Sequence, residues 1–141
     1  MAPPIRIGFM GLSTTNLDAS WKYAGAWANT AHIPYLLANP STYTITALCN
    51  SSLSAAQSAI SHYNLPPSTK AYESLSDLAA DPDIDLVVCS VNIKKHYALI
   101  KLALLAGTDV IVEWPLATTL EEAEELTSIA RKKGCKTAVV L

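Results

Sequence analysis

Charge is scarce in this chain: Lys, Arg, Asp and Glu make up 16% of its 141 residues and leave a net charge of −2 at pH 7. The one basic run, Arg131-Lys132-Lys133, stands where the last turn of a helix favours cations. Direct binding to nucleic acid is therefore not expected. No stretch approaches the ~18 consecutive apolar residues of a membrane span. Met1-Ala2-Pro3-Pro4 opens no charged segment followed by an apolar core, so a soluble intracellular protein is expected, cytoplasmic, or nuclear if it regulates. Cysteine is sparse too. Cys49, Cys89 and Cys135 are odd in number, far apart and set in apolar runs, which excludes a disulfide framework or a zinc set and leaves them as small buried hydrophobes. His32, His62 and His96 share no i, i+4 spacing and no accompanying carboxylates, so no metal site is expected. Hydrophobicity, by contrast, is plentiful: half of the residues are hydrophobic and the mean hydropathy is +0.24. A chain of this length is one domain, 1–141, burying roughly 70% of its unfolded surface, and a surface this poor in charge calls for a partner or a second copy.

Strand-like and helix-like runs alternate from end to end. Ile5 to Met10, Tyr43 to Cys49, Leu86 to Ser90, Asp109 to Val112 and Thr137 to Leu141 are short, apolar and rich in β-branched residues, as strands buried on both faces are. A weaker strand lies near Thr69 to Tyr72. Helical segments fall at Ala24 to Ala38, Leu53 to Tyr63, Leu75 to Ala80, Lys94 to Ala106 and Leu120 to Lys133. The alternation predicts an α/β fold, a doubly wound parallel sheet with right-handed crossovers. Thr119 with Glu122 forms a capping box, and Gly107 and Gly134 read as left-handed helix ends. Leu120, Ala123, Leu126, Thr127 and Ala130 line the inward face of the last helix, with Glu121, Glu124 and Glu125 solvated on the other.

Two loops carry the candidate chemistry. Gly8-Phe9-Met10-Gly11-Leu12-Ser13 ends the first strand, where a dinucleotide fingerprint needs glycines for a tight turn and close approach to pyrophosphate. Only part of it is present: Gly11 stands first, Ser13 takes the second place, and Thr14 to Tyr23 reads as an insertion before a helix that starts around Gly25. The second strand ends in Asn50-Ser51-Ser52, where NAD-specific folds place an acid that reads both ribose hydroxyls and repels a 2′-phosphate. Asn50 is uncharged and Ser51 is a donor, so either NADP is tolerated, binding at least as well as NAD, or dinucleotide binding is weak. A plain helix cap explains the same three residues equally well.

Five features in order, Ile7-Gly8-Phe9-Met10-Gly11, Trp27 to Pro34, Asp83-Ile84-Asp85-Leu86-Val87-Val88, His96 opening a helix, and Val112-Glu113-Trp114-Pro115-Leu116, together resemble the N-terminal domain of the glucose–fructose oxidoreductase and inositol dehydrogenase (Gfo/Idh/MocA) family. The resemblance implies a Rossmann-type domain for NADP or NAD, with Gly8, Gly11, Leu12, Ser13, Asn50, Ser51, Val91, Asn92, Glu113 and Trp114 at the cofactor. Two departures, Val91-Asn92-Ile93 for Thr-Pro-Asn and Glu113-Trp114-Pro115 for Glu-Lys-Pro, resemble the branch of the fungal galactose-pathway repressor, a regulator that binds the dinucleotide. The lysine of Glu-Lys-Pro orients substrate and shares in proton transfer, and tryptophan cannot titrate; Lys94 and Lys95 read as solvated. Family members continue into a second α/β domain forming the substrate wall, whereas this chain stops at Leu141, so a homodimer or a partner protein is expected to cover that face. Two functions are compatible with these residues: a sensor or interaction module without dehydrogenase activity, or a small reductase, isomerase or cyclase using His96, Glu113 or Tyr97 as acid and base. A domain surviving only as a binding partner is the plain third.

Overall fold

The computed structural model describes residues 2–14 and 27–140. Six strands, β1 (Ile5–Met10), β2 (Tyr43–Cys49), β3 (Lys70–Tyr72), β4 (Leu86–Cys89), β5 (Asp109–Glu113) and β6 (Thr137–Val140), form one sheet in the order β3-β2-β1-β4-β5-β6. Every neighbouring pair is parallel. Strand order reverses between β1 and β4, the switch point at which doubly wound sheets open a crevice outside their carboxyl ends.

Helices cover both faces. On one, α1 (Ile33–Ala38) and α2 (Leu53–His62) pack Ile33, Ala56 and Ala59 onto Ile7, Phe9, Ile45 and Leu48, joined by Ala28 from the turn before α1. On the other, α3 (Leu75–Ala80), α4 (His96–Leu105) and α5 (Leu120–Lys133) bring Leu78, Leu99, Ile100 and Leu126 onto Met10, Ala47, Val87 and Val110. The caps agree with the chemistry of their residues: Ser52, Ser74 and Thr119 each accept a backbone N–H three residues on. Gly134 closes α5 in the left-handed region at φ +70°. The Glu122 half of the capping box reaches one residue further back than expected, its carboxylate accepting the N–H and hydroxyl of Thr118.

Three expectations are corrected. The helix expected over Ala24 to Ala38 begins outside the described residues, as do Gly25 and all of the inserted segment beyond Thr14; from Trp27 onward the segment is helical, with a π-helical stretch over Ala28–His32 ahead of the α-helix at Ile33–Ala38. Pro34 has no N–H to give Thr30, and the ladder widens there so that the Ile33 N–H bonds the Ala28 carbonyl. The last strand, expected to be buried on both faces, is exposed throughout Thr137–Val140. In α5 the buried line runs through Leu126 and Ala130, while Leu120 is 73% exposed and Thr127 faces solvent. The rotation has a cause: α5 packs on α4, where Glu125, expected to be solvated, accepts the Tyr97 hydroxyl at 2.5 Å and pairs with Lys101 at 2.7 Å.

Candidate functional site

The carboxyl ends of β1, β2 and β4 deliver Gly11, Asn50 and Val91 to one edge of the sheet, and the loops continue the ladders beyond the strands. Gly11 N–H donates to the Cys49 carbonyl at 3.2 Å, Asn50 N–H to Tyr72 at 3.1 Å, and Ser90 N–H to Met10 at 3.0 Å. They border a cleft of about 700 Å³, within the size range of ligand sites. Gly11 is required where the walls meet: its φ is +87°, and a Cβ there would lie 1.9 Å from the Ser90 carbonyl oxygen.

Of the residues expected at a cofactor, Gly11, Ser13, Asn50, Ser51, Val91 and Asn92 line this cleft. Gly8, Leu12, Glu113 and Trp114 do not. Gly8 is a packing glycine, since a Cβ would come 2.7 Å from the Ile84 side chain. The Leu12 side chain is in the core, and its carbonyl accepts the Asn50 amide at 2.8 Å. Trp114, joined to Pro115 by a cis peptide, is 67% exposed. Ser52, not Asn50, caps α2.

The three acid–base candidates each have hydrogen-bond partners within the protein. His96 is buried, with Nδ1 2.9 Å from the Pro115 carbonyl and Nε2 2.9 Å from that of Val91; the ring thereby ties the loop after β5 to the loop after β4. The Tyr97 hydroxyl donates to Glu125 on α5 and accepts from Lys101 at 2.9 Å. Glu113 Oε1 accepts the Ser90 hydroxyl at 2.6 Å and lies 3.1 Å from His32 Nε2, both its side chain and that of His32 being 18% exposed. Sequence reasoning misses Ser90; a hydroxyl at the end of an otherwise apolar strand is the signal that marks it. Lys94 and Lys95, expected to be solvated, and Glu73 also line the cleft. Asn92 caps the 3₁₀ turn Ile93–Lys95 that carries the two lysines.

Desolvation raises the pKa of all three cysteine thiols. Burial pushes the Cys49 thiol up to about 11 and the Cys89 thiol up to about 12. Among the described residues no group of three or more His, Cys, Asp and Glu is placed to hold a metal ion, and no helix is long and apolar enough to cross a membrane. The residues present fit a dinucleotide. Lys94 and Lys95 suit a pyrophosphate. Asn50 Oδ1 is buried with no partner among the described residues, an acceptor held ready for a donor. Its identity as oxygen follows from chemistry, because the Leu12 carbonyl accepts only from the NH₂ end of the amide.

Comparison with known proteins gives the same picture. The family model described as an oxidoreductase family with an NAD-binding Rossmann fold, GFO_IDH_MocA, matches residues 23–141. The dehydrogenase aclE of Aspergillus oryzae is 38% identical across all of this chain, which spans 37% of that protein. The galactose/lactose metabolism regulatory protein GAL80 of Saccharomyces cerevisiae is 30% identical across 99% of this chain, spanning 31% of its length. The crystal structure of a super-repressor mutant of Gal80p from the same yeast superposes with a TM-score of 0.81 at 28% identity, over 98% of this chain and 34% of that one. The chain thus spans about a third of the length of the relatives it matches.

Proposed function

Because the chain belongs to the Gfo/Idh/MocA oxidoreductase family and carries its NAD-binding Rossmann fold, we propose that it is a dinucleotide-binding sensor or interaction module, intracellular, without ordinary dehydrogenase activity. One observation carries the reading: the residue after Glu113 is Trp114, which projects 67% exposed into solvent and has no proton to exchange. Glu113 itself is committed to Ser90 and His32. Bound dinucleotide would supply hydride chemistry, and this chain's residues would hold it: Gly11 by close backbone approach, Lys94 and Lys95 by charge, Asn50 and Ser51 at the adenosine end. His96 acts as a positioning residue for the Val91 and Pro115 loops, and Glu113 reaches the cleft wall through Ser90.

Self-association belongs to the same reading. Trp114 adjoins β6, since its N–H donates to the Val140 carbonyl, and Val139, Val140 and Leu120 are also exposed. A twofold dimer burying this apolar end is the simplest cover. The enzymatic alternative draws on one observation, that Glu113 stands one hydrogen bond from Ser90, a residue of the cleft wall. In it Glu113 exchanges the proton, and His96 and Tyr97 must first release their present partners.

Purified protein is examined for bound nucleotide by absorbance and mass, titrated with NAD and NADP, and assayed for oxidation of polyols and sugars. Dinucleotide binding without turnover is expected, and turnover that Glu113→Gln abolishes would decide for the enzyme.

A further inference from the structure

The end of β2 carries Asn50 where an acid would mark an NAD-specific fold, yet an acid does stand at that edge, brought by the neighbouring strand. β2 and β3 are parallel, with Cys49 opposite Tyr72, and the Asn50 N–H extends the ladder to the Tyr72 carbonyl at 3.1 Å. β3 ends at Tyr72 and Glu73 follows it directly, so the chain brings Glu73 to the same edge as Asn50, and both line the cleft. One carboxylate oxygen is placed by the chain: Glu73 Oε2 accepts the N–H of Leu53, the first residue of α2, at 3.1 Å. This holds the acid beside Ser51 at the start of the helix.

Asn50 turns one N–H of its amide to the Leu12 carbonyl and keeps Oδ1 as a buried acceptor without a partner among the described residues. A ribose 2′-hydroxyl has a proton to give to such a site, whereas a 2′-phosphate brings only acceptor oxygens and about two negative charges to an acceptor and a carboxylate. The cations of the cleft, Lys94 and Lys95, come after β4. Two strands, β2 and β1, lie between β3 and β4, so the acid and the lysine-bearing turn spring from strands about 14 Å apart at ordinary sheet spacing. The backbone thus brings the acid in from the β3 side of the cleft and the two lysines from the β4 side.

We propose that Glu73, acting from β3 in place of the missing acid of β2, reads the adenosine ribose of this chain's dinucleotide and makes it selective for NAD over NADP. The proposal rests on the dinucleotide-binding reading above and replaces the preference for NADP that Asn50 alone implies.

Calorimetric titration of the wild type and of Glu73→Gln with NAD and with NADP tests it. The glutamine keeps an oxygen to accept the Leu53 N–H, so α2 keeps its cap, and circular dichroism checks this. The wild type is expected to bind NAD at least tenfold more tightly than NADP. Glu73→Gln is expected to narrow that ratio at least fivefold, mainly by strengthening NADP, and Glu73→Lys to invert it. Equal or tighter binding of NADP by the wild type overturns the assignment while leaving dinucleotide binding intact. A ratio unchanged in folded Glu73→Gln and Glu73→Lys overturns it too, and reduces Glu73 to a cap of α2. Binding of neither dinucleotide ends the underlying reading, and the assignment with it.

Discussion

Replacing Gly11 by alanine puts the tightest glycine contact among the described residues under a direct test. A Cβ at this position would meet the Ser90 carbonyl oxygen at 1.9 Å, the Val91 side chain at 2.7 Å and the Ser90 carbonyl carbon at 2.8 Å, where real Cβ contacts stay above 3.0 Å. The loops after β1 and β4 must part by at least about 1.1 Å to admit it, and neither is free to move. Ser90 is fully buried and bonded to Met10 through its N–H, and Gly11 is bonded to Cys49 in the same way. Two costs add: alanine at φ +87° loses about 1–2 kcal/mol against glycine, and overpacking costs about 1–3 kcal/mol. The expected loss of about 2–5 kcal/mol is a large part of a stability of ~5–15 kcal/mol, read as a fall of about 1–2 M in the urea midpoint. Gly107 supplies the control, since it has φ +85° but nothing within 4 Å of an added Cβ. Gly107→Ala therefore reports the backbone cost alone, about 1–2 kcal/mol. Equal midpoints for the two variants would refute the collision, and undiminished NAD affinity in a folded Gly11→Ala would refute its place in the cofactor site.

Three further outcomes are expected. Asp81 is buried, which raises its pKa, but Lys70, the Asp83 N–H and the Tyr72 hydroxyl together bring it below the ordinary carboxylate value, and Arg6 holds Asp85 low. Carboxylates with depressed folded pKa values stabilise the fold fully above about pH 4 and lose that contribution as pH falls through the folded value; urea midpoints should hold from pH 7 to pH 5 and drop below pH 4, and a midpoint that rises on acidification contradicts the assignment. Tyr97→Phe removes the bond to Glu125 on α5, so it should cost up to about 1 kcal/mol in stability and leave dinucleotide affinity unchanged by titration. Trp114→Lys should leave monomer stability within about 0.5 kcal/mol and shift a dimer toward monomer by light scattering after size exclusion; a wild type already monomeric at micromolar concentration removes the dimer.

The sheet is legible in the sequence because strands covered on both faces leave a plain trace: Ile5–Met10, Tyr43–Cys49 and Leu86–Cys89 are largely apolar runs, and short-range chemistry at Ser52, Thr119 and Gly134 marks where helices start and stop. Six of the ten residues expected at a cofactor line the cleft for the same reason, each lying just past a strand whose direction the alternation already sets. What escapes a linear reading is lateral. Glu113 meets Ser90 and His32, which lie 23 and 81 residues away in the chain, and Glu73 stands beside Asn50 only through the β2–β3 register. Local patterns carry no register between strands. The family resemblance singles out His96 as an acid–base candidate, and the structure sets both its ring nitrogens 2.9 Å from backbone carbonyls, a use that no spacing announces.

The exposed end of the sheet shows what an apolar pattern does and does not say. Thr137–Val140 and Leu120 are expected to face inward because they are apolar at the right period, and the structure exposes them all. The inference from hydrophobicity to a need for burial is sound thermodynamics, since Val139, Val140, Leu120 and Trp114 each leave apolar area in water at roughly 25 cal/mol per Å². The inference from that need to burial within this chain is a separate step, and here it fails. α5 commits its buried line, Leu126 and Ala130, to the core it shares with α4, and β6 stays exposed along its whole length. An open edge strand with two exposed valines is an association hazard by its backbone as well as its side chains. Trp114 and β6 share a hydrogen bond at this end, so whatever covers the strand also meets the residue that stands in place of the family's lysine.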